Sequence, residues 1–440
     1  MMTNRIEPFR GLLYDVERCG VLSNVVAPPY DLIDRARQDA LYARSRYNIV
    51  RLELNRDPDP YASAARTMGE WLREGVLRRA PRPAIYLYSQ FFEVEGRRMR
   101  RDGLIVRLRL EEFSARRILP HERTFPKARQ DRLDLLTALR ANVSSVFGLY
   151  SGAHPEIAHL VADMLGREPL LEVTDDLGIR NQLRPIEEAE AIAMIQRELD
   201  SPRIFIADGH HRYETALEYR RRLRAAEGDP VPIRPYDYTM MTLVACDDPG
   251  LLILPTHRVV RRLDPAALAR FDEAAAAFFT IERFADADAM RAARSAGGRG
   301  TLAVALGGDR LALRLLRLKS PAAMAEAMPA APAPVRRLDV SVLHTLVLER
   351  LFGITPEQVK AGGLVDYTTD ARAALDEVVQ GRAAGAFLMN PPSITDVEEV
   401  SLAGAVMPEK STYFYPKLLT GLVLNPLDDD LGAQEDGGDG

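Results

Sequence analysis

Residues 203–217 read Arg203-Ile204-Phe205-Ile206-Ala207-Asp208-Gly209-His210-His211-Arg212-Tyr213-Glu214-Thr215-Ala216-Leu217, an apolar run that passes through one glycine into a stretch of helix formers. A short apolar run bounded by a glycine predicts a buried strand, and the residues from about His210 to Arg224 predict a helix. Gly209 is the only residue at the junction that tolerates any backbone angle. The first turn of such a helix carries unsatisfied N–H groups and a partial positive charge, which two histidines and an arginine oppose unless an anion neutralises them. The stretch is therefore expected to bind a phosphate on the helix end, at Gly209, His210, His211 and Arg212. Asp208 falls at the carboxyl end of the strand, where α/β sheets place ligand and metal residues. The plainer reading of Asp208 is a turn-forming aspartate bonded to nearby N–H groups.

The flanking sequence alternates in the same way. A strand is expected at 6–13, an extended turn at Ala27-Pro28-Pro29, an amphipathic helix at 61–76, and antiparallel strands at 84–88, 91–94 and 99–109 joined near Glu95-Gly96. An irregular polar stretch, 118–127, precedes a helix at 129–141 and a strand at 146–150; helices at 154–166 and 186–199 flank short strands within 169–183. Beyond the central helix, a Pro-rich connector from Asp229 to Pro235 leads to strands at 238–246 and 251–254. Helices at 265–278 and 286–296 with strands near 301–306 and 310–316 suggest a smaller α+β unit, in which Gly307-Gly308 reads as a hairpin turn. An Ala/Pro linker is expected at 321–334, Asp339 as the N-cap of a helix over 340–352, a strand-helix unit around 363–370, and an apolar strand at 386–389. The fold class is thus α/β in the mixed α+β sense. The expected domains are 1–260, a nucleotide-binding α/β domain with insertions; 261–334, a small α+β unit with its linker; 335–427, a C-terminal α/β segment closing the site; and 428–440, a disordered acidic tail.

Composition narrows the function. With 440 residues, 47% of them hydrophobic, the chain is long enough for two or three domains with a large core. No stretch of about 18 apolar residues appears and Met1–Glu7 lacks the apolar centre of a signal peptide, so the cytosol is the expected compartment. A net charge of −5 gives no overall basic footprint for nucleic acid. Two distant cysteines, Cys19 and Cys246, make no disulfide framework or cysteine zinc site, and the seven histidines include no pair spaced for a catalytic metal. Of 58 basic residues only five are lysines, at 127, 319, 360, 410 and 417. An ammonium kept in so Arg-biased a chain points to use as a point charge, and Lys127, Lys410 and Lys417 stand inside or beside the conspicuous blocks.

The Gly-x-His-Arg pattern at a strand-to-helix turn resembles the phosphate-binding box of the ParB and sulfiredoxin superfamily, whose members bind CTP, ATP or ADP there and include free-serine kinases. Over nearly its whole length the chain also resembles the family catalogued as domain of unknown function 1015. Five blocks carry that resemblance: Val26-Ala27-Pro28-Pro29-Tyr30-Asp31, His121-Glu122-Arg123-Thr124, Asp208-Gly209-His210-His211-Arg212, Leu254-Pro255-Thr256-His257-Arg258, and Met407 through Lys417. The superfamily box implies a ParB/sulfiredoxin-like core with His211 and Arg212 on the phosphate. In sulfiredoxin the position of His210 is the catalytic cysteine, so the sulfinic-acid reductase reaction lacks its nucleophile here. No helix-turn-helix of the ParB type follows.

Phosphoryl transfer needs cations and amides to hold phosphates, a Mg²⁺, and a carboxylate to take the proton of the attacking hydroxyl. Glu122 is the first candidate for the base or a magnesium ligand, with Asp208 as the second metal ligand and Asp31 as the rival carboxylate. His121, Arg123, Thr124 and Lys127 join the phosphate-binding set, as do His257, Arg258 and the basic and hydroxyl donors Lys410, Ser411, Thr412 and Lys417. The expected activity is a nucleotide-dependent kinase, a phosphotransferase acting on the alcohol group of a small metabolite. ATP or ADP (CTP as an alternative) and Mg²⁺ are the expected cofactors, and the resemblance implies free L-serine as acceptor. Two other readings stay open: a non-catalytic nucleotide-binding regulatory module, and a metal-dependent phosphohydrolase. Neither a membrane nor a nucleic-acid partner is expected.

Overall fold

The computed structural model describes residues 5–228, 232–308 and 311–432, which form two compact units. Residues up to 120, 124–252 and those from Pro416 onward make the first; His121–Arg123 and Ile253–Tyr415 make the second. Both mix helices with sheet.

The first unit is built on a nine-stranded mixed sheet. Its order runs Ile118–Leu119, Ile204–Asp208, Val146–Tyr150, Tyr238–Ala245, Arg97–Arg109, Ile85–Val94, Arg180–Ile186 and Leu171–Thr174, with Ile6–Glu7 also paired to Arg97–Arg109. Two neighbouring pairs are parallel, Ile118–Leu119 with Ile204–Asp208 and Val146–Tyr150 with Tyr238–Ala245; the other pairs are antiparallel. The long central hairpin closes through Glu95 and Gly96, both at positive φ, the geometry that a two-residue turn needs to match the twist of its strands. Ile85, Leu87, Leu104 and Val106 pack against Tyr213, Ala216 and Leu217 of the helix His210–Glu227 and against Ile157, Met164 and Ile195 of two further helices. A second core gathers Trp71, Met68 and Ala64 of the amphipathic helix Pro60–Arg73 with Leu135 and Leu139 of Pro126–Leu139.

The chain returns to this unit at its far end. Leu424 bridges Leu12, Thr420 bridges Ala27, and Asn425–Pro426 pairs with Ala141–Asn142. Of residues 428–432, expected to belong to a disordered tail, Asp428 pairs with Arg140 and Leu431 lies against the second core, while Asp429 and Asp430 are exposed. The remainder of that tail, 433–440, lies outside the described residues, as do 229–231 of the Pro-rich connector. The expected strand at 6–13 is two, Ile6–Glu7 and Leu12–Tyr14, because Pro8 has no N–H to give a ladder.

The second unit is a six-stranded antiparallel sheet in the order Phe279–Phe284, Ala312–Leu318, Thr301–Leu306, Gly385–Met389, His257–Val260, Val365–Thr368. Helices Ala287–Gly297 and Ala371–Val379 supply Met290, Ala374 and Val378 to one apolar core, while elsewhere Phe352 stacks on Phe271 and meets Phe387 edge to face. The sequence reading needs three corrections here. Beyond the expected strand at 251–254, His257 and Arg258 begin a further strand, His257–Val260, that the sequence reading did not include. Residues 321–334 are not a bare linker, since Ala322–Ala327 and Ala333–Arg336 are helical. Asp339 is not an N-cap: it is the first residue of Asp339–Val342, and its Oδ1 accepts from the Gly300 N–H. A π-helical stretch, Leu343–Leu351, continues that helix.

Candidate phosphate site

In the first unit the strand Ile204–Asp208 ends beside Phe147, its register partner, and the helix His210–Glu227 starts one residue later. Gly209 makes the turn at φ 89°, ψ 27°, a left-handed conformation that side chains resist. No side chain caps this helix, so the amides of its first turn are unspent by any cap. The Arg212 guanidinium folds back over Gly209; a Cβ there would meet it at 2.9 Å.

Asp208 organises the cations. Its Oδ2 accepts from Lys417 Nζ at 2.5 Å and its Oδ1 from Arg212 Nη2 at 3.3 Å. Burial raises the carboxyl's pKa, but Lys417 and Arg212 outweigh it and hold the group well below the usual carboxylate range. The carboxylate that the sequence suggested as a metal ligand thus has both oxygens on cations. Arg212 Nη1 also donates to the Ser145 carbonyl, and its Nε is buried without a hydrogen-bond partner. Two cations and one carboxylate leave a surplus positive charge at an uncapped helix end.

His211 is not a cation in this arrangement. Its Nε2 accepts from the Phe125 N–H at 2.9 Å, which places the ring proton on Nδ1, and burial pushes its pKa down, aided by Arg129 and Arg212 and opposed by Glu214. Thr124 and Arg129 both donate to Glu214, at 2.6 and 2.8 Å, tying the start of Pro126–Leu139 to the central helix. His210 is buried, and Lys127 is exposed on the first turn of Pro126–Leu139. The Pro-Pro-Tyr-Asp block arrives at the same place. Pro29 lines a narrow cleft with Ser144, Ser145, Asp208, Arg212 and Thr420, the Tyr30 ring lies under the Arg132 guanidinium at 4.3 Å, and the exposed Asp31 acts electrostatically on His211.

Arg101 was not singled out in the sequence. It is 1% exposed, lies over the Phe147 ring at 4.7 Å, and donates through Nη2 to Gln90 and the Pro416 carbonyl, while Nε and Nη1 have no partners. Burial pushes its pKa down to about 10. It stands in the run Arg97-Arg98-Met99-Arg100-Arg101, where only the inward register of the strand distinguishes it; the alternation of inward residues toward Gly103 and Ile105 is the signal that was available.

The other expected residues belong to the second unit. His121 is fully buried, and its Nε2 lies 3.1 Å from Thr412 Oγ1, which in turn donates to Glu122 Oε1 at 3.5 Å, the long limit of a hydrogen bond. Arg123 and Lys410 are exposed. Ser411 donates to the Pro408 carbonyl. Arg258 is wholly buried and bonded to the carbonyls of Thr256, Glu409 (3.0 Å) and Lys410 (3.1 Å) and to His344, so it fixes the Glu409–Lys410 turn. His257 is buried and neutral, accepting from the Met389 N–H, its pKa pushed down to about 3 by burial and by Arg294 and Arg258. Among the described residues no three His, Cys, Asp or Glu side chains cluster as a metal site, and no helix is long and apolar enough to cross a membrane.

The model of a protein of unknown function, DUF1015, matches residues 6–341. The chain belongs to the DUF1015 family. No curated protein matches it. Among solved structures, the DUF1015 chain is similar to a free serine kinase in complex with AMP, with 14% identity over 70% of this chain and 86% of that one, TM-score 0.34. It is also similar to a conserved hypothetical protein from Pyrococcus furiosus (14% identity, 72% and 92% coverage, TM-score 0.32) and to a C-terminally truncated SbnI from Staphylococcus aureus (12%, 73% and 87%, 0.32).

Proposed function

We propose that this DUF1015 protein is a nucleotide-dependent phosphotransferase acting on the hydroxyl of a small metabolite, with ATP or ADP as donor and free L-serine as the favoured acceptor. The observation that carries the reading is the uncapped helix start at Gly209, where Arg212 and Lys417 are pinned by a single carboxylate and Arg212 keeps an unspent buried donor. Such a site favours an anion through dipole, amides and net charge together. The serine preference rests on the Gly-x-His-Arg resemblance alone.

In this reading the acceptor oxygen attacks the terminal phosphorus, a new P–O bond forms as the bridging P–O bond breaks, and the departing nucleotide carries away the electron pair. The hydroxyl proton passes to a carboxylate. Glu122 keeps that assignment, and Asp31, the carboxylate beside His211, is its rival. Asp208 does not fit a direct Mg²⁺ ligand while both its oxygens hold cations, so its proposed role is to position Arg212 and Lys417. Phosphorus NMR of the protein with each of ATP, ADP and CTP, Mg²⁺ and L-serine tests the reading: a phosphomonoester supports it. Free phosphate alone would make the protein a hydrolase, and tight nucleotide binding without turnover a regulatory module. Glu122→Gln is expected to keep nucleotide affinity and lower turnover by about 100- to 10,000-fold.

A further inference from the structure

The second unit contains a cavity of about 330 Å³ at the carboxyl end of the strand Gly385–Met389. Asn390-Pro391-Pro392 forms part of its wall, and the Asn390 side chain is fixed by its Nδ2 donating to the carbonyls of Arg294 and Gly298 at 3.3 and 3.0 Å. Two polar side chains more than nine-tenths buried line this space with atoms that have no hydrogen-bond partner: Asp339, through Oδ2, and Thr256, through Oγ1. Leaving such groups unpaired costs about 1–3 kcal/mol each, more for a charge, so a polar ligand with a donor inside the cavity would satisfy both.

The charges around Asp339 select the donor. Arg299, the cation on the cavity wall, is committed to Asp396 at 2.8 Å, and Arg294 spends its Nη1 on the Met389 carbonyl at 2.9 Å. Burial therefore prevails over the Gly300 and Asn390 amides and Arg299, and with Asp396 opposing ionisation the Asp339 carboxyl is pushed up to about 6. A carboxylate with one oxygen unbonded, lining the same cavity as a hydroxyl without a partner, suits a compact cation that also donates to oxygen, which is a primary ammonium. We propose that this cavity binds a small metabolite bearing a primary ammonium group, held between Asp339 Oδ2 and Thr256 Oγ1. The proposal does not rest on the phosphate site, since none of its observations involves Asp208, Arg212 or Lys417.

Calorimetric titration of the full chain with ethanolamine, L-serine, putrescine and, as a neutral comparison, glycerol tests it. At least one of the amines is expected to bind at millimolar or lower concentration and glycerol at least tenfold more weakly. Asp339→Asn and Thr256→Val are each expected to weaken that amine tenfold or more, with nucleotide affinity, measured separately, unchanged. Should Asp339→Asn fail to fold, Thr256→Val, which keeps the shape of the side chain, carries the test. Failure of every amine to bind, equal binding of glycerol, or unaltered amine affinity in the folded variants would overturn the proposal.

Discussion

Asp208 resolves a difficulty that its neighbours create. Cations at a helix start oppose the dipole, yet here Lys417 and Arg212 converge on one carboxylate, and His211 avoids the penalty by staying neutral. Removing either side of the pair has a separate signature. Arg212→Ala is expected to fold and to lose about tenfold to a hundredfold in nucleotide affinity, the worth of a charged hydrogen bond, by calorimetric titration; unchanged affinity would remove the phosphate site. Asp208→Asn leaves two cations without a counter-charge and is expected to lower the melting temperature near neutral pH. Because the folded carboxyl titrates below its unfolded value, the stabilisation is present above the ordinary carboxylate range and fades as pH falls through it. Melting curves of wild type and variant should accordingly begin to approach one another only as pH falls below about 4, and meet well below it.

At the scale of elements, the strand–glycine–helix turn depends on one backbone angle. Gly209→Ala places a side chain at φ 89° and against the Arg212 guanidinium, and is expected to cost about 1–2 kcal/mol in denaturant melts and to weaken nucleotide binding by displacing Arg212. In the second unit the buried pair His257 and His344, each pushed down to about 3, must gain protons on unfolding below pH 6.5. The unfolded chain binds more protons there, so stability falls on acidification from about 6.5 toward 3, by an amount on the order of a few kcal/mol. The His344→Gln variant should show a shallower acid limb. Much of this architecture was legible: the 85–109 hairpin announced itself by alternating apolar residues around Glu95-Gly96, and the central helix by its glycine start. What escaped notice was decided by distant partners. Asp339 has the residue type of a cap but is drawn to the Gly300 amide, Ala-rich 322–327 coils despite surrounding prolines, and Arg101 gains its position only from the register of a long strand. Lys417, one of five ammonium groups in an arginine-rich chain, was by contrast expected within reach of the Gly209 turn; what no local pattern named was its partner Asp208, 209 residues away.

At the scale of the whole molecule, the first unit is discontinuous, interrupted by residues 253–415 and finished by the segment that starts at Pro416. That segment supplies Lys417, the Leu424 bridge to Leu12, and Asn425, whose amide reaches Asn142 at 2.9 Å and whose oxygen accepts from Arg107 at 2.7 Å. A chain ended after Tyr415 leaves those buried groups open and is expected to lose cooperative unfolding of the first unit, seen as weak amide protection in the strands 97–109 and 238–245 by hydrogen exchange. Native-like protection in the shortened chain would show that the returning segment is dispensable.

The order in which a ribosome delivers the chain gives this discontinuity a further meaning. Synthesis runs from the amino end, so the strand, glycine and arginine around Asp208 emerge long before the lysine that pairs with it. Throughout translation of some two hundred intervening residues, Asp208 lacks the Lys417 ammonium, and the edge that Asn425–Pro426 will cover stays open. A nascent chain can therefore lay down most of its first sheet well before Lys417 and the strand Asn425–Pro426, which complete that unit's ion pairing and strand pairing, have left the exit tunnel.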